Sequence, residues 1–138
     1  VDSIELYNHS TNAVNLIGCT LSDDPATNKY TIPNTTIPAR GFVYFTENQL
    51  GFGLNAAGDS IYFKNPAGTQ ILDALRFEAQ ENGVSFGRYP NGANDWYRLN
   101  TRTLGANNAV PRVSIEAARS AAVARFIRLF SSPKRSIR

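Results

Sequence analysis

From Ile4 to Tyr89 this chain keeps alternating between short apolar runs and turn-forming residues. The runs are rich in β-branched and aromatic side chains: IELY (4–7), NLIGCTL (15–21), KYTI (29–32), FVYFT (42–46), DSIYFK (59–64), QILDALRF (70–77) and VSFGRY (84–89). Such residues suit a pleated, half-buried surface, so the sequence predicts seven strands. Between them stand Asp23-Asp24-Pro25, Ile32-Pro33-Asn34, Ala39-Arg40-Gly41, Ala57-Gly58-Asp59, Asn65-Pro66-Ala67-Gly68, Asn82-Gly83 and Asn91-Gly92. These residues accept positive φ or preset turn angles. Many short strands with frequent turns indicate an all-β sandwich or barrel. In Ile61-Tyr62-Phe63-Lys64 and Phe42-Val43-Tyr44-Phe45, alternate side chains are expected to face a core.

A chain of 138 residues with 42% hydrophobic content is one domain's worth. At that size about 68% of the unfolded surface can be buried, enough for a core without disulfides or metal. No run approaches the roughly 18 apolar residues of a membrane-spanning helix, and the N-terminus has no basic-then-apolar signal pattern. A soluble chain is expected. With no Met, the sequence reads as a processed product or a piece of something longer. The single Cys19 makes neither an internal disulfide nor a Cys cluster for zinc or iron–sulfur binding. Its place in LIGCTL suits a buried core thiol, the alternative being a reactive or intermolecular one.

Charge and composition change near residues 109–111. Residues 1–108 hold seven bases and ten acids, net −3, whereas residues 109–138 hold seven bases and one acid, net +6. All Asn and Gly and the Trp lie before Ala109. The sequence therefore divides into a β domain, 1–108, and a basic C-terminal segment, 109–138. A turn of 100° per residue over 114–130 groups Ile115, Ala118, Ala122, Phe126, Leu129 and Phe130 on one side and Arg125 and Arg128 on another, with Arg119 inside the apolar stripe. This predicts an amphipathic helix, with Ser114 as N-cap, Glu116 in the first turn and Ser131-Ser132-Pro133 as the stop. Such a helix docks on its own domain or a partner, lies on an anionic membrane, or touches nucleic acid. The interaction candidates are Arg112, Ile115, Arg119, Arg125, Phe126, Arg128 and Phe130.

The search for catalytic chemistry is mostly negative. Gly83-Val84-Ser85-Phe86-Gly87 matches the G-x-S-x-G nucleophile elbow, which needs a strand-to-helix turn and a later histidine. Here Arg88-Tyr89-Pro90-Asn91-Gly92 starts no helix, and the only histidine, His9, comes earlier. Ser85 reads as a strand serine, and a hydrolase using it stays a distant alternative. His9 sits in a polar turn with no second His or Cys nearby, a solvated loop residue. Asp23 and Asp24 lack the further acids and glycine of a calcium loop and read as turn formers. Glu78 and Glu81, a conceivable glycosidase pair, read as solvated loop charges. No phosphate-cradling glycine motif is present. Tyr44, Tyr62 and Trp96 suit core or cross-strand pairs better than stacking on sugars or bases. Asn8-His9-Ser10 and Asn34-Thr35-Thr36 are glycosylation-type sequons.

Several stretches resemble the lamin tail domain over residues 4–108. They are Ile4-Glu5-Leu6-Tyr7-Asn8, the Leu21-Ser22-Asp23-Asp24 turn, Ile37-Pro38-Ala39-Arg40-Gly41, and Gly83-Val84-Ser85-Phe86-Gly87-Arg88 followed by Pro90, Gly92 and Trp96. The spacing is similar to that of bacterial members. The resemblance implies an immunoglobulin-like β-sandwich with no catalytic residues and no cofactor. It also implies a binding or structural module, an accessory domain of a larger protein, extracellular or at the cell surface, with a nuclear site as the alternative. A buried Trp96 and an Arg88 paired with a carboxylate belong to the same expectation. The family usually opens with a strand ending in Asn-Glu, where this chain has only Val1-Asp2-Ser3. The edge beside IELY is thus expected to need a cover. The cover would be the tail, as a strand at 112–115 or the helix 114–130, or a partner chain that makes an oligomer by exchange.

Overall fold

The computed structural model describes residues 1–99, 101–111 and 132–136. Its strands are β1 (Ser3–Tyr7), β2 (Val14–Asn15), β3 (Thr20–Ser22), β4 (Tyr30–Thr31), β5 (Thr36–Ile37), β6 (Phe42–Thr46), β7 (Gly58–Lys64), β8 (Ile71–Glu78), β9 (Ser85–Arg88), β10 (Trp96–Leu99) and β11 (Ser132–Ser136). One short helix, α1 (Glu47–Leu50), interrupts them. All seven predicted runs carry strand, but NLIGCTL is cut in two. Gly18 takes φ 80°, and the Cys19 N–H turns back onto the Leu16 carbonyl at 3.0 Å, so β2 and β3 are separate strands. The sequence reading did not foresee α1, β5, β10 or β11. Ser132-Pro133, expected to follow a helix as its stop, begins β11; the predicted helix 114–130 lies outside the described residues.

Among the described residues every strand pair is antiparallel. One sheet has five strands in the order β10-β9-β11-β1-β6, a second has four in the order β4-β3-β7-β8, and β2 and β5 form a ribbon. Ile4, Leu6, Phe45, Phe86 and Trp96 of the first sheet share one buried cluster with Leu21, Ile61, Phe63, Leu75 and Phe77 of the second. The inner faces of the two sheets therefore pack on each other, which makes the architecture a β-sandwich. β8 alternates from Asp73 onward, with Asp73, Leu75 and Phe77 buried and Arg76 and Glu78 exposed.

Three small locks explain motif residues singled out from the sequence. In Ile37-Pro38-Ala39-Arg40-Gly41 the Gly41 N–H donates to the Pro38 carbonyl at 2.9 Å, and a Cβ on Gly41 would lie 2.7 Å from Pro38 Cγ. Only glycine fits there. Asn8, at the end of IELYN, is buried, and its amide donates to the carbonyls of Asn12 (2.8 Å), Ile37 (3.1 Å) and Pro38 (3.1 Å). Gly87 makes room for the Asn108 amide, which donates to the Arg88 carbonyl at 2.7 Å; a Cβ on Gly87 would meet that nitrogen at 2.8 Å. The first lock shapes the turn before β6, the second ties the end of β1 to that turn, and the third returns the chain after β10 to β9.

Candidate interaction site

The site is the strand position between β1 and β9. These two strands are both antiparallel to β11, so they run parallel to each other and are joined only through it. Along β1 the register is Ser3↔Ser136, Ile4↔Arg135, Glu5↔Lys134, Leu6↔Pro133 and Tyr7↔Ser132. Along β9 it is Arg135↔Phe86 and Ser136↔Ser85. Directly opposed residues of an antiparallel pair share a face of the sheet. Positions 133 and 135 therefore share the face of Leu6, Ile4 and Phe86, all buried in the core. Positions 132, 134 and 136 share the opposite face with Tyr7, Glu5, Ser3 and Ser85. Pro133 has no N–H to give, and it falls where β9 registers no partner.

That opposite face is also closed. Ser3 and Ser85 are buried, and Glu5 is fully buried. The Glu5 carboxylate accepts the Gly105 N–H at 2.5 Å. The Ser85 hydroxyl donates to the Thr101 carbonyl at 2.8 Å, and Arg102 donates to the Val1 carbonyl at 3.2 Å. Residues 101–105 thus lie over the sheet, and Tyr7 packs on Phe42 with ring centroids 5.0 Å apart. β1 is consequently buried on both faces, although it carries a carboxylate at its centre.

A second polar cluster joins the sheets. Arg88 of β9 and Asp73 of β8 lie 3.8 Å apart with almost no exposure. The guanidinium sits 4.4 Å from the centre of the Trp96 ring and donates to the Ala93 carbonyl at 2.9 Å. Trp96 is fully buried and stacks on Phe86 at 5.8 Å with 4° between planes. Burial pulls the Arg88 pKa down to about 10 against the opposing pull of Asp73. The expectations of a buried Trp96 and an Arg88–carboxylate pair hold.

The other residues considered from sequence do not converge on a catalytic arrangement. Ser85 lies level with Ser3 in the register, whereas His9 follows Tyr7 at the far end of β1. At about 3.3 Å per residue, those ends are roughly 13 Å apart. No histidine base meets Ser85. Asp24 is a turn former, its carboxylate accepting the Ala26 N–H at 2.8 Å. Asp23 pairs with Lys29 at 2.6 Å, and Glu78 and Glu81 are exposed. An open cleft of about 300 Å³ is lined by Asp23, Asp59, Ser60, Tyr62, Arg76 and Glu78. Among the described residues no group of three or more His, Cys, Asp or Glu is placed to hold a metal. None of the described helices is long and apolar enough to cross a membrane. Cys19 is buried, and burial raises its thiol pKa. Tyr44 is exposed on β6. Of the two sequons, Asn8 is used internally and Asn34 is exposed. The tail candidates Arg112, Ile115, Arg119, Arg125, Phe126, Arg128 and Phe130 lie outside the described residues.

Sequence reasoning missed Glu5 and β11. The alternation of IELY puts Glu5 on the outer face, and nothing local shows that residues a hundred positions later will cover it. The signal for β11 was hidden because Ser-Ser-Pro reads as a helix stop. Against known proteins, the sequence profile described as Lamin Tail Domain matches residues 2–78. No curated protein and no solved structure matches.

Proposed function

Because this chain belongs to the lamin tail domain family of noncatalytic immunoglobulin-like domains, we propose that it works as an interaction module, an accessory domain of a larger, exported protein, whose binding element is the strand position between β1 and β9. One observation supports this reading above the others: β1 and β9 meet only through β11, which the chain supplies after a 20-residue interval, 112–131. A sheet with such an opening recruits a strand, because unpaired backbone N–H and C=O groups on both sides bind an extended segment along its length. In the monomer the tail fills the opening. Supplied by a second copy, the same strand makes an exchanged dimer.

Hydrogen exchange tests the reading. Lys134→Pro removes an N–H from the middle of β11 and so weakens the docked strand. Amides of residues 3–7 and 85–86 should then exchange faster, while those of 61–63 and 74–77 keep their protection. Equal protection of residues 3–7 in the variant and the parent chain would show that β11 does not hold β1.

A further inference from the structure

The outer strands of the two sheets differ in how their edges are guarded. Among the described residues β4 and β8 end one sheet, β6 and β10 the other. β4 has two residues, and the four-residue β10 carries Arg98. β8 is longer, but it turns the Asp73 carboxylate into the core, exposes Arg76 and Glu78, and loses its regular register against β7 at Phe63 and Lys64. Short length, charge, an inward carboxylate and a bulge all keep an edge from recruiting another strand. β6 has no such guard. It is Phe42-Val43-Tyr44-Phe45-Thr46, five residues without charge or proline, in unbroken register with β1.

Hydrogen bonds fix which of its backbone groups face outward. The Asn8 N–H donates to the Gly41 carbonyl at 3.0 Å, and the Glu47 N–H donates to the Asp2 carbonyl at 2.8 Å. Bonded pairs alternate along an antiparallel ladder, so Val43 and Phe45 are the residues of β6 that bond β1. The N–H and C=O of Phe42, Tyr44 and Thr46 therefore point away from β1. The Thr46 N–H is met by the Gln49 side chain at 2.9 Å, which closes that end. Tyr44 stands at the centre of the edge with its side chain 45% exposed.

We infer that β6 is a self-association edge, to which a second copy of this chain adds its own β6, antiparallel, about a two-fold axis at Tyr44. With all five residues overlapped, Tyr44 opposes Tyr44, Phe42 opposes Thr46 and Val43 opposes Phe45. The two Tyr44 residues form a hydrogen-bonded pair that exchanges both N–H···O=C bonds. Their rings make a cross-strand aromatic pair on the outer face, and on the core face the half-buried Val43 gains the Phe45 ring of the other copy. Just beyond the strand Gly41 comes opposite Glu47, which sets the exposed Arg40 of each copy beside Glu47 of the other. The edge complements itself in charge as well as in backbone, and this selects a second copy as its occupant. The contact is isologous and closes at two copies, joining their five-stranded sheets edge to edge. At about 3.3 Å per residue the shared edge is roughly 17 Å long, a small interface that gives a weak, concentration-dependent dimer. It lies on the far side of β1 from β11 and asks nothing of that strand.

Sedimentation velocity of the full chain, from about 10 μM to about 1 mM, tests the inference. The parent chain should pass from monomer towards dimer across that range. Tyr44→Lys and Tyr44→Glu each set like charges opposite one another, so either chain alone should dimerise at least tenfold more weakly than the parent. An equimolar mixture of the two should dimerise at least tenfold more tightly than either alone, because position 44 opposes position 44. Tyr44→Pro removes an N–H that β1 does not use, so it should weaken the dimer as much while the monomer melts close to the parent. A parent chain that stays monomeric throughout would overturn the inference and leave the edge to a strand of another protein. A Lys/Glu mixture that dimerises no better than its components, or a Tyr44→Pro chain that dimerises like the parent, would also overturn it. The Lys134→Pro chain separates this contact from exchange through β11: a dimer lost there but kept in the Tyr44→Lys chain would belong to the position between β1 and β9 and refute the β6 edge.

Discussion

Arg88 and Asp73 provide a quantitative test of the sandwich interior. The pair is buried, 3.8 Å apart, and joins β9 of one sheet to β8 of the other. Burial lowers the Arg88 pKa well below the ordinary guanidinium range, to about 10. A displacement of that size corresponds to about 3 kcal/mol favouring the neutral over the charged form relative to the unfolded chain. The guanidinium remains charged at neutral pH, so its desolvation is a standing cost, offset by Asp73, the Trp96 ring and the Ala93 carbonyl. Arg88→Met removes one partner and leaves the Asp73 carboxylate inside without its guanidinium. Breaking a buried pair in this way costs about 3–5 kcal/mol. Asp73→Leu alone leaves the guanidinium in the same position and should cost a similar amount. Replacing both removes both desolvation penalties, and such replacements are commonly neutral or stabilising by about 1–4 kcal/mol. Urea unfolding followed by Trp96 fluorescence measures all four chains. The expected result is a double variant more stable than either single one by at least about 2 kcal/mol. A double variant no more stable than the weaker single one would refute the reasoning, because the cluster would then be held by something other than mutual compensation.

Other measurements follow from the same interior. Trp96→Ala should lower stability by about 3–5 kcal/mol, because it empties a fully buried site stacked on Phe86; an unchanged melting temperature would contradict the packing described. The Arg88 pKa is lower in the folded chain than in the unfolded one, so from about pH 10 up to the ordinary guanidinium range the unfolded chain holds more protons and stability rises with pH. The stability of the parent chain minus that of the Arg88→Met/Asp73→Leu chain should therefore increase across that interval, and a flat difference would refute the shift. Cys19 should react with a thiol reagent only after denaturant is added, since it is buried and its thiol pKa is raised; complete labelling of the native chain within minutes would disagree. A fluorophosphonate should leave Ser85 unlabelled, and labelling abolished by Ser85→Ala would overturn the assignment of its hydroxyl to the Thr101 carbonyl.

What could be read from sequence was what depends on short range. Strand runs and turns are local, so IELY, FVYFT, DSIYFK and QILDALRF fall on β1, β6, β7 and β8. Gly18 was legible as a glycine but not as the φ of 80° that breaks NLIGCTL. β10 escaped notice because WYRL is four residues long and half polar, and it becomes a strand by pairing with β9. The strand position between β1 and β9 was legible only as a need, an edge beside IELY without a neighbour. Its occupant was not: candidates were sought at 112–115 and 114–130, whereas the strand placed there is 132–136. SPKRS has neither apolar alternation nor β propensity, and its place comes from the ladders of β1 and β9, not from its own composition.

The position of β11 also sets an order of events during synthesis. β3, β4, β7 and β8 all lie within residues 20–78, and their sheet can close as soon as that stretch has emerged. β1 emerges earliest of all and can pair with β6 once residue 46 is out, but its other edge must wait, because Ser3 is also registered with Ser136. Closing so long a loop adds to the folding barrier, and pairings this distant in sequence are slow to form. The molecule should therefore mature in two stages, a four-stranded sheet that can form once residue 78 has emerged and a five-stranded sheet that is completed only after residue 136 has left the ribosome. In the interval β1, beside β6, and β9, beside β10, each keep one edge of unpaired backbone groups, so the nascent chain is most open to foreign strands before β11 arrives.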